Sequence, residues 1–161
     1  MTPKSPAESY TEMVQVVLPN DANPLGFILG GTVMHLIDIA GAIAAHRHTR
    51  SEMVTAAVDG LQFLYPIRVG DLIVLQARVT ATFTTSLETE VQVYSEATLT
   101  GERRLTSHAY LTFATIERNG VRTQVPPLAL ESDEDRARMA AAAERRRERL
   151  LRRAREIDTR R

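Results

Sequence analysis

The sequence predicts an α+β fold in which one antiparallel sheet wraps around a single buried helix, and three observations carry that expectation. A helical run that is apolar almost all round stands early in the chain, from about Leu29 to His48. After Arg50-Ser51 the period of the hydrophobic pattern changes from 3.6 to 2 and stays there as far as Pro126-Pro127. The sheet this implies has one apolar face and only one helix ahead of it, so wrapping the sheet around that helix is the economical way to bury both.

Each element has its own warrant. Glu12 to Leu18 is a short β-like run stopped by Pro19 and Asn20, and a loop of turn formers fills Asn20 to Gly31. In the helical run Ala40, Gly41, Ala42, Ala44 and Ala45 are small enough to let a neighbour pack very close. Met53–Leu64 reads as a strand. Leu72–Phe83 alternates, with Ile73, Leu75, Ala77, Val79 and Ala81 on one face; Ser86–Glu96 and Arg104–Glu117 follow in the same manner. Asn119-Gly120 is the strongest hairpin signal in the chain. The tail differs: Glu131 to Arg155 is dense in Ala, Arg and Glu without Gly or Pro, and Ser132-Asp133-Glu134-Asp135 supplies an N-cap and an acidic first turn. With few apolar residues, this helix is expected to be solvated and lightly packed; the sharper alternative is a basic surface for an anionic group or a neighbouring subunit. The expected division is a flexible N-terminus at 1–9, one domain at 10–128 and a charged C-terminal helix at 129–161.

The composition narrows the function. A hydrophobic fraction of 43% in 161 residues supports one domain with a real core and excludes global disorder. A formal net charge of +0 argues against a general nucleic-acid binder. The absence of cysteine excludes disulfides, thiolate catalysis and Cys-ligated zinc, leaving only His35, His46, His48 and His108 for any histidine-held metal. Met1 to Glu12 is too polar for a secretory signal, and the longest apolar run, broken by His35 and Asp38, is too short to span a bilayer. A cytoplasmic protein is expected, with no membrane and no nucleic-acid partner.

Asp38 is the most informative residue. A carboxylate inside Val33–Ala45 costs several kcal/mol unless it is paired, hydrogen-bonded or neutralised. On the residues alone two readings stand level: a structural acid pairing with Arg47 or a histidine, and a reactive one. Upstream, a polar loop leads through Gly30-Gly31 to the helix start, where free N–H groups and the positive dipole end suit a developing oxyanion. Together these suggest acyl-group chemistry. Asn23 beside Pro24 is, by itself, a turn residue. His46, Arg47 and His48 read as a cationic cap at the helix C-terminus, Asp59 and Asp71 as turn or strand-end residues.

Asn20-Asp21-Ala22-Asn23-Pro24-Leu25-Gly26, then Gly30-Gly31, Met34 and Ile37-Asp38-Ile39-Ala40, resemble the acyl-CoA thioesterase (acyl-CoA hydrolase) family with the hotdog fold. So do Val54 to Asp71 and the Thr84-Thr85-Ser86 turn; the likeness runs from about Leu18 to Pro127, and the Arg-rich tail looks like that of some members. The resemblance implies a long helix wrapped by the sheet, dimers whose sheets join, and their grouping into hexamers as trimers of dimers. It implies cleavage of acyl-CoA to a carboxylic acid and CoA, without metal or separate cofactor. By residue matching Asp38 takes the catalytic acid position, as general base or nucleophile. Asn23 becomes its polar partner from the other subunit, Gly30 and Gly31 the backbone oxyanion donors, and Thr84, Thr85 and Ser86 the contacts to CoA. Arg68, Arg78, Arg103, Arg104 and the tail arginines are further candidates for the CoA phosphates. Two positions depart from the pattern: Phe83 replaces a usual glycine and Tyr65 a frequent lysine. Dehydration of 3-hydroxyacyl thioesters would want a histidine partner, for which only His35 is near. A non-catalytic acyl-CoA sensor would want a DNA-binding segment, which the mixed-charge tail matches poorly.

Overall fold

The computed structural model describes residues 1–161. A short helix α1 (Pro6–Ser9) precedes strand β1 (Thr11–Val16); helix α2 (Gly30–Thr49) follows, and then strands β2 (Met53–Phe63), β3 (Leu72–Thr82), β4 (Ser86–Glu96) and β5 (Arg103–Thr115). The five strands form one antiparallel sheet in the order β1-β3-β4-β5-β2, so β2 is an edge strand. The alternation read from β3 sends Ile73, Leu75, Ala77 and Val79 inward, where they join Leu87, Val91, Val93, Leu111 and Phe113 against Val33, Leu36, Ile37, Ala40 and Ala44 of α2. The small residues of α2 do bring helix and sheet close. At Gly41 an added Cβ would stand 2.9 Å from Thr89 Oγ1 and 3.2 Å from the Phe113 ring.

Asn119 and Gly120 both have positive φ, 53° and 76°, as a type I′ turn requires, and close the small hairpin of β6 (Glu117–Arg118) and β7 (Val121–Arg122). The α2 C-terminus closes on Arg50 in the left-handed region (φ 51°), its N–H donating to the His46 carbonyl.

Four expectations need correction. α2 is not buried on most faces: the sheet covers one side, and Gly31, Met34, His35 and Asp38 are exposed on the other. Part of the N-terminus expected to be flexible is built into the body. Lys4 exchanges backbone hydrogen bonds with Pro127 and Ala129, and the fully buried Ser9 accepts from Val79 N–H at 2.9 Å. His48 is no surface cap: it is buried, its Nε2 lies 2.7 Å from the Pro126 carbonyl and its Nδ1 has no partner.

The fourth correction concerns the tail. Helix α3 (Asp133–Thr159) starts on the expected Ser132 cap, whose Oγ accepts from Asp135 N–H at 3.0 Å. It then crosses the outer face of the sheet. Arg145 forks onto Glu88 of β4 (2.8 and 3.0 Å) and lies 3.5 Å over the Tyr110 ring of β5. Arg149 and Arg152 reach Asp59 of β2 at 2.7 and 3.5 Å, so Asp59 is an anchor of α3 and not a turn residue. The acids Glu88 and Glu90 alternate along β4 like a wetted face, yet α3 covers them. Glu88 also accepts from Thr80 Oγ1 at 2.7 Å, and His108, 3.4 Å away, holds the Glu90 carboxyl below its usual range.

Burial lowers the pKa of His48, opposed by its hydrogen bond to Pro126. Unfolded His48 takes its proton near pH ~6.5 while the folded form resists it, so the contribution is complete above that pH and is lost as pH falls toward the depressed folded value. Thermal unfolding between about pH 7 and pH 5 should show the midpoint falling for the native chain and a flatter profile for His48→Gln.

Candidate active site

Asp38 projects from the exposed side of α2, and its Oδ1 accepts a hydrogen bond from Thr55 Oγ1 at 2.6 Å. Neither arginine nor histidine takes that carboxylate: Arg47 donates to the Tyr10 carbonyl and Thr11 Oγ1, and His46 Nδ1 sits 2.6 Å from the Ala42 carbonyl. The apolar enclosure expected around Asp38 is not built by one chain. Thr55 is the residue that sequence reasoning missed. It pairs with Phe113, a core residue, and therefore faces α2. Register shifts at Thr55/Ala57 and Asp59/Gln62 hide that facing from any count of alternation along β2.

Asn23 sits in a pinned loop. Its Oδ1 accepts from Leu25 N–H (3.0 Å) and Phe27 N–H (3.1 Å), and its own N–H donates to the Phe27 carbonyl at 2.8 Å. The turn role is real, yet it occupies only the oxygen and leaves the side-chain NH2 free to donate. Beside it Leu29, the N-cap of α2, offers no side-chain cap, so the N–H groups of Gly30 and Gly31 start the helix uncapped and exposed. Asn23, Gly30, Phe27, Val33, Phe63, Tyr65 and their neighbours line a mainly apolar cleft of about 250 Å³.

The expected site residues fall into two groups at opposite ends of β2. Asp38 and Thr55 lie toward its start. The Thr84–Ser86 turn is at that same end, because Ser86 pairs with Ala114 and Ala114 pairs with Val54. That turn is held by its backbone, Thr85 O accepting from Thr115 N–H and Thr84 O from Val125 N–H. Asn23, Gly30 and the cleft lie toward Phe63, at the end of β2; along α2, Gly30 stands eight residues, ~12 Å, from Asp38. Of the candidate arginines, Arg103 is tied to Glu96 at 2.7 Å, and Arg104 lies 4.5 Å over the ring of Tyr65. No three potential metal-binding side chains converge anywhere.

The thioesterase superfamily model matches residues 25–102. The uncharacterized acyl-CoA thioester hydrolase YkhA of Bacillus subtilis is 38% identical over 128 residues, covering 80% of this chain and 74% of that protein. The chain belongs to the acyl-CoA hydrolases of the thioesterase superfamily.

Solved acyl-CoA hydrolases of the hotdog fold match the chain over nearly its whole length. The acyl-CoA hydrolase of Staphylococcus aureus, solved with butyryl-CoA, CoA and CoA disulfide, superposes with a TM-score of 0.87 at 33% identity over 97% of this chain and 95% of that one. A hexameric acyl-CoA thioesterase gives a TM-score of 0.89 at 36% identity, covering 96% and 99%. The staphylococcal enzyme has also been solved with alanine in place of an asparagine, an aspartate and a threonine. These stand in the order and at the spacings, 15 and 17 residues, of Asn23, Asp38 and Thr55. Against the human cytosolic acyl-CoA hydrolase the chain spans 36% of the longer protein's length.

Proposed function

We propose that this chain hydrolyses acyl-CoA thioesters to carboxylic acid and CoA, at sites assembled between two copies. The observation that carries this is the separation of the half-sites. The Asp38–Thr55 pair lies toward one end of an open edge strand, while the Asn23 amide and the uncapped α2 start lie toward the other. Antiparallel pairing of two β2 edges exchanges those ends and lays the Asn23 half of one copy by the Asp38 half of the other. Val54, Val58, Phe63 and Met34, all about half exposed, supply apolar surface for such a contact, which would also enclose Asp38.

The chemistry follows. The substrate carbonyl sits against the N–H groups of Gly30 and Gly31 and the Asn23 amide, which stabilise the oxyanion of the tetrahedral intermediate. Thr55 holds Oδ1 of Asp38 and so leaves Oδ2 toward the reacting carbon. There Asp38 either takes a proton from the attacking water or attacks directly to form an anhydride that water then opens. The C–S bond breaks and CoA leaves as the thiol. Thr84, Thr85 and Ser86, at the Asp38 end, contact the CoA moiety. No metal or separate cofactor enters this reading. Pairs grouped as a hexamer, as in the solved hexameric relative, and a cytoplasmic setting belong to it; no helix here is long and apolar enough to cross a membrane.

The test mixes two inactive chains. Asn23→Ala and Asp38→Asn should each release little thiol from acyl-CoA alone. Unfolded and refolded together, they should recover activity, because each mixed pair contains one site with both residues intact. Sites confined to one chain would recover none.

A further inference from the structure

Helix α3 does not stop where the sheet stops. Its contacts advance strand by strand: Arg145 reaches Glu88 on β4 and Tyr110 on β5, and Arg149 and Arg152 reach Asp59 on β2, the last strand. Every residue from Leu150 onward is exposed, and the helix continues to Thr159. Seven residues beyond Arg152, at ~1.5 Å each, carry it ~10 Å past its last anchor. Strands in a sheet are ~4.8 Å apart, so this overhang is long enough to lie above two more strands.

The exposed stretch from Leu150 onward, which runs into this overhang, holds most of the large apolar residues of α3. Leu150, Leu151 and Ile157 are 44%, 46% and 47% exposed. Leu150, Ala154 and Ile157, spaced i, i+4, i+7, form one stripe. At ~100° per residue that stripe is turned roughly 80–140° from Arg149, which faces the sheet. It points sideways along the sheet surface. A sheet extended beneath the overhang would leave the stripe in water; a second helix lying beside it on that surface would cover it.

We propose that this stripe packs, antiparallel, against the same stripe of α3 on a second copy, over the junction of the two β2 edges. The inference rests on the edge pairing proposed above. The course of α3 selects the occupant, because only a molecule adjoining the β2 edge can lie under or beside the overhang, and a two-fold pairing of that edge brings a second α3 across it from the opposite side. α3 then straps the pair together on the sheet face opposite the active sites.

The chain has no cysteine, so single thiols can be placed cleanly. Under oxidised glutathione, Ala154→Cys should convert largely to a covalent dimer, and Ala137→Cys, exposed near the other end of α3, should not. Leu150→Glu with Ile157→Glu should weaken dimerisation about tenfold or more by sedimentation, with helix content unchanged. Suppose mixed Asn23→Ala and Asp38→Asn chains recover activity while Ala154→Cys stays uncrosslinked and the double variant dimerises like the native chain. The strap is then overturned and the edge pairing stands. Crosslinking confined to hexamers and missing from isolated dimers also overturns it. If the mixed chains recover nothing and the native chain sediments as a monomer, both proposals fall.

Discussion

Asp38→Asn is expected to lose turnover on every acyl-CoA while keeping its affinity for CoA. The substitution retains the size of the side chain and an oxygen for the Thr55 hydroxyl, but removes the carboxylate proposed as proton acceptor or nucleophile. A positioned general base contributes about 10²–10⁴-fold, so kcat in a thiol-release assay should fall by at least that range, with KM far less affected. Thr55→Ala should cost less than Asp38→Asn, because it frees the carboxylate without removing it. Equal losses of kcat and CoA affinity would sink the reading of Asp38 as a chemical group and return it to a structural role.

Arg145→Ala should be the most destabilising single change on the outer face of the sheet. It leaves Glu88, only 2% exposed, with the Thr80 hydroxyl as its remaining side-chain partner. Removing one member of a buried pair typically costs about 3–5 kcal/mol, a large part of the 5–15 kcal/mol available to a domain. Urea unfolding should show the midpoint falling steeply for Arg145→Ala. Replacing both partners, as Arg145→Met with Glu88→Leu, should restore most of it, since the cost lies in the stranded charge more than in the lost attraction. A small loss in the single variant would mean that water or another cation reaches Glu88 when Arg145 is gone.

That ion pair marks where the sequence stopped being readable. The helix, the period-2 strands, the Asn119-Gly120 turn and the Ser132 cap were legible because each is written in neighbouring residues. What α3 covers was not: Glu88 and Glu90 look like a solvated face until Arg145, 57 residues from Glu88, folds over them. The site shows the same division. Asp38 stands out locally, as an acid in an apolar run, whereas Asn23 beside Pro24 reads by itself as a turn residue and only the family resemblance marks it. Thr55 becomes visible only through a hydrogen bond across 17 residues, on a strand whose two bulges hide which way it faces. Asp59 was misread for the same reason, its partners lying 90 and 93 residues away in the tail.

The irregularities of β2 bear on how a newly made chain avoids the wrong company. A bare edge carrying Val54, Val58 and Phe63, with neither proline nor lysine along it, is a template on which any extended peptide could nucleate. Its two bulges break the ladder of free N–H and C=O groups at Thr55/Ala57 and Asp59/Gln62. A regular strand can match only the short stretches between them, and a one-residue slip would turn the apolar side chains to the wrong face. Another β2 running the opposite way carries the same breaks in reverse. The distortions thus work as a lock on register, narrowing the choice of neighbour before any side chain has packed.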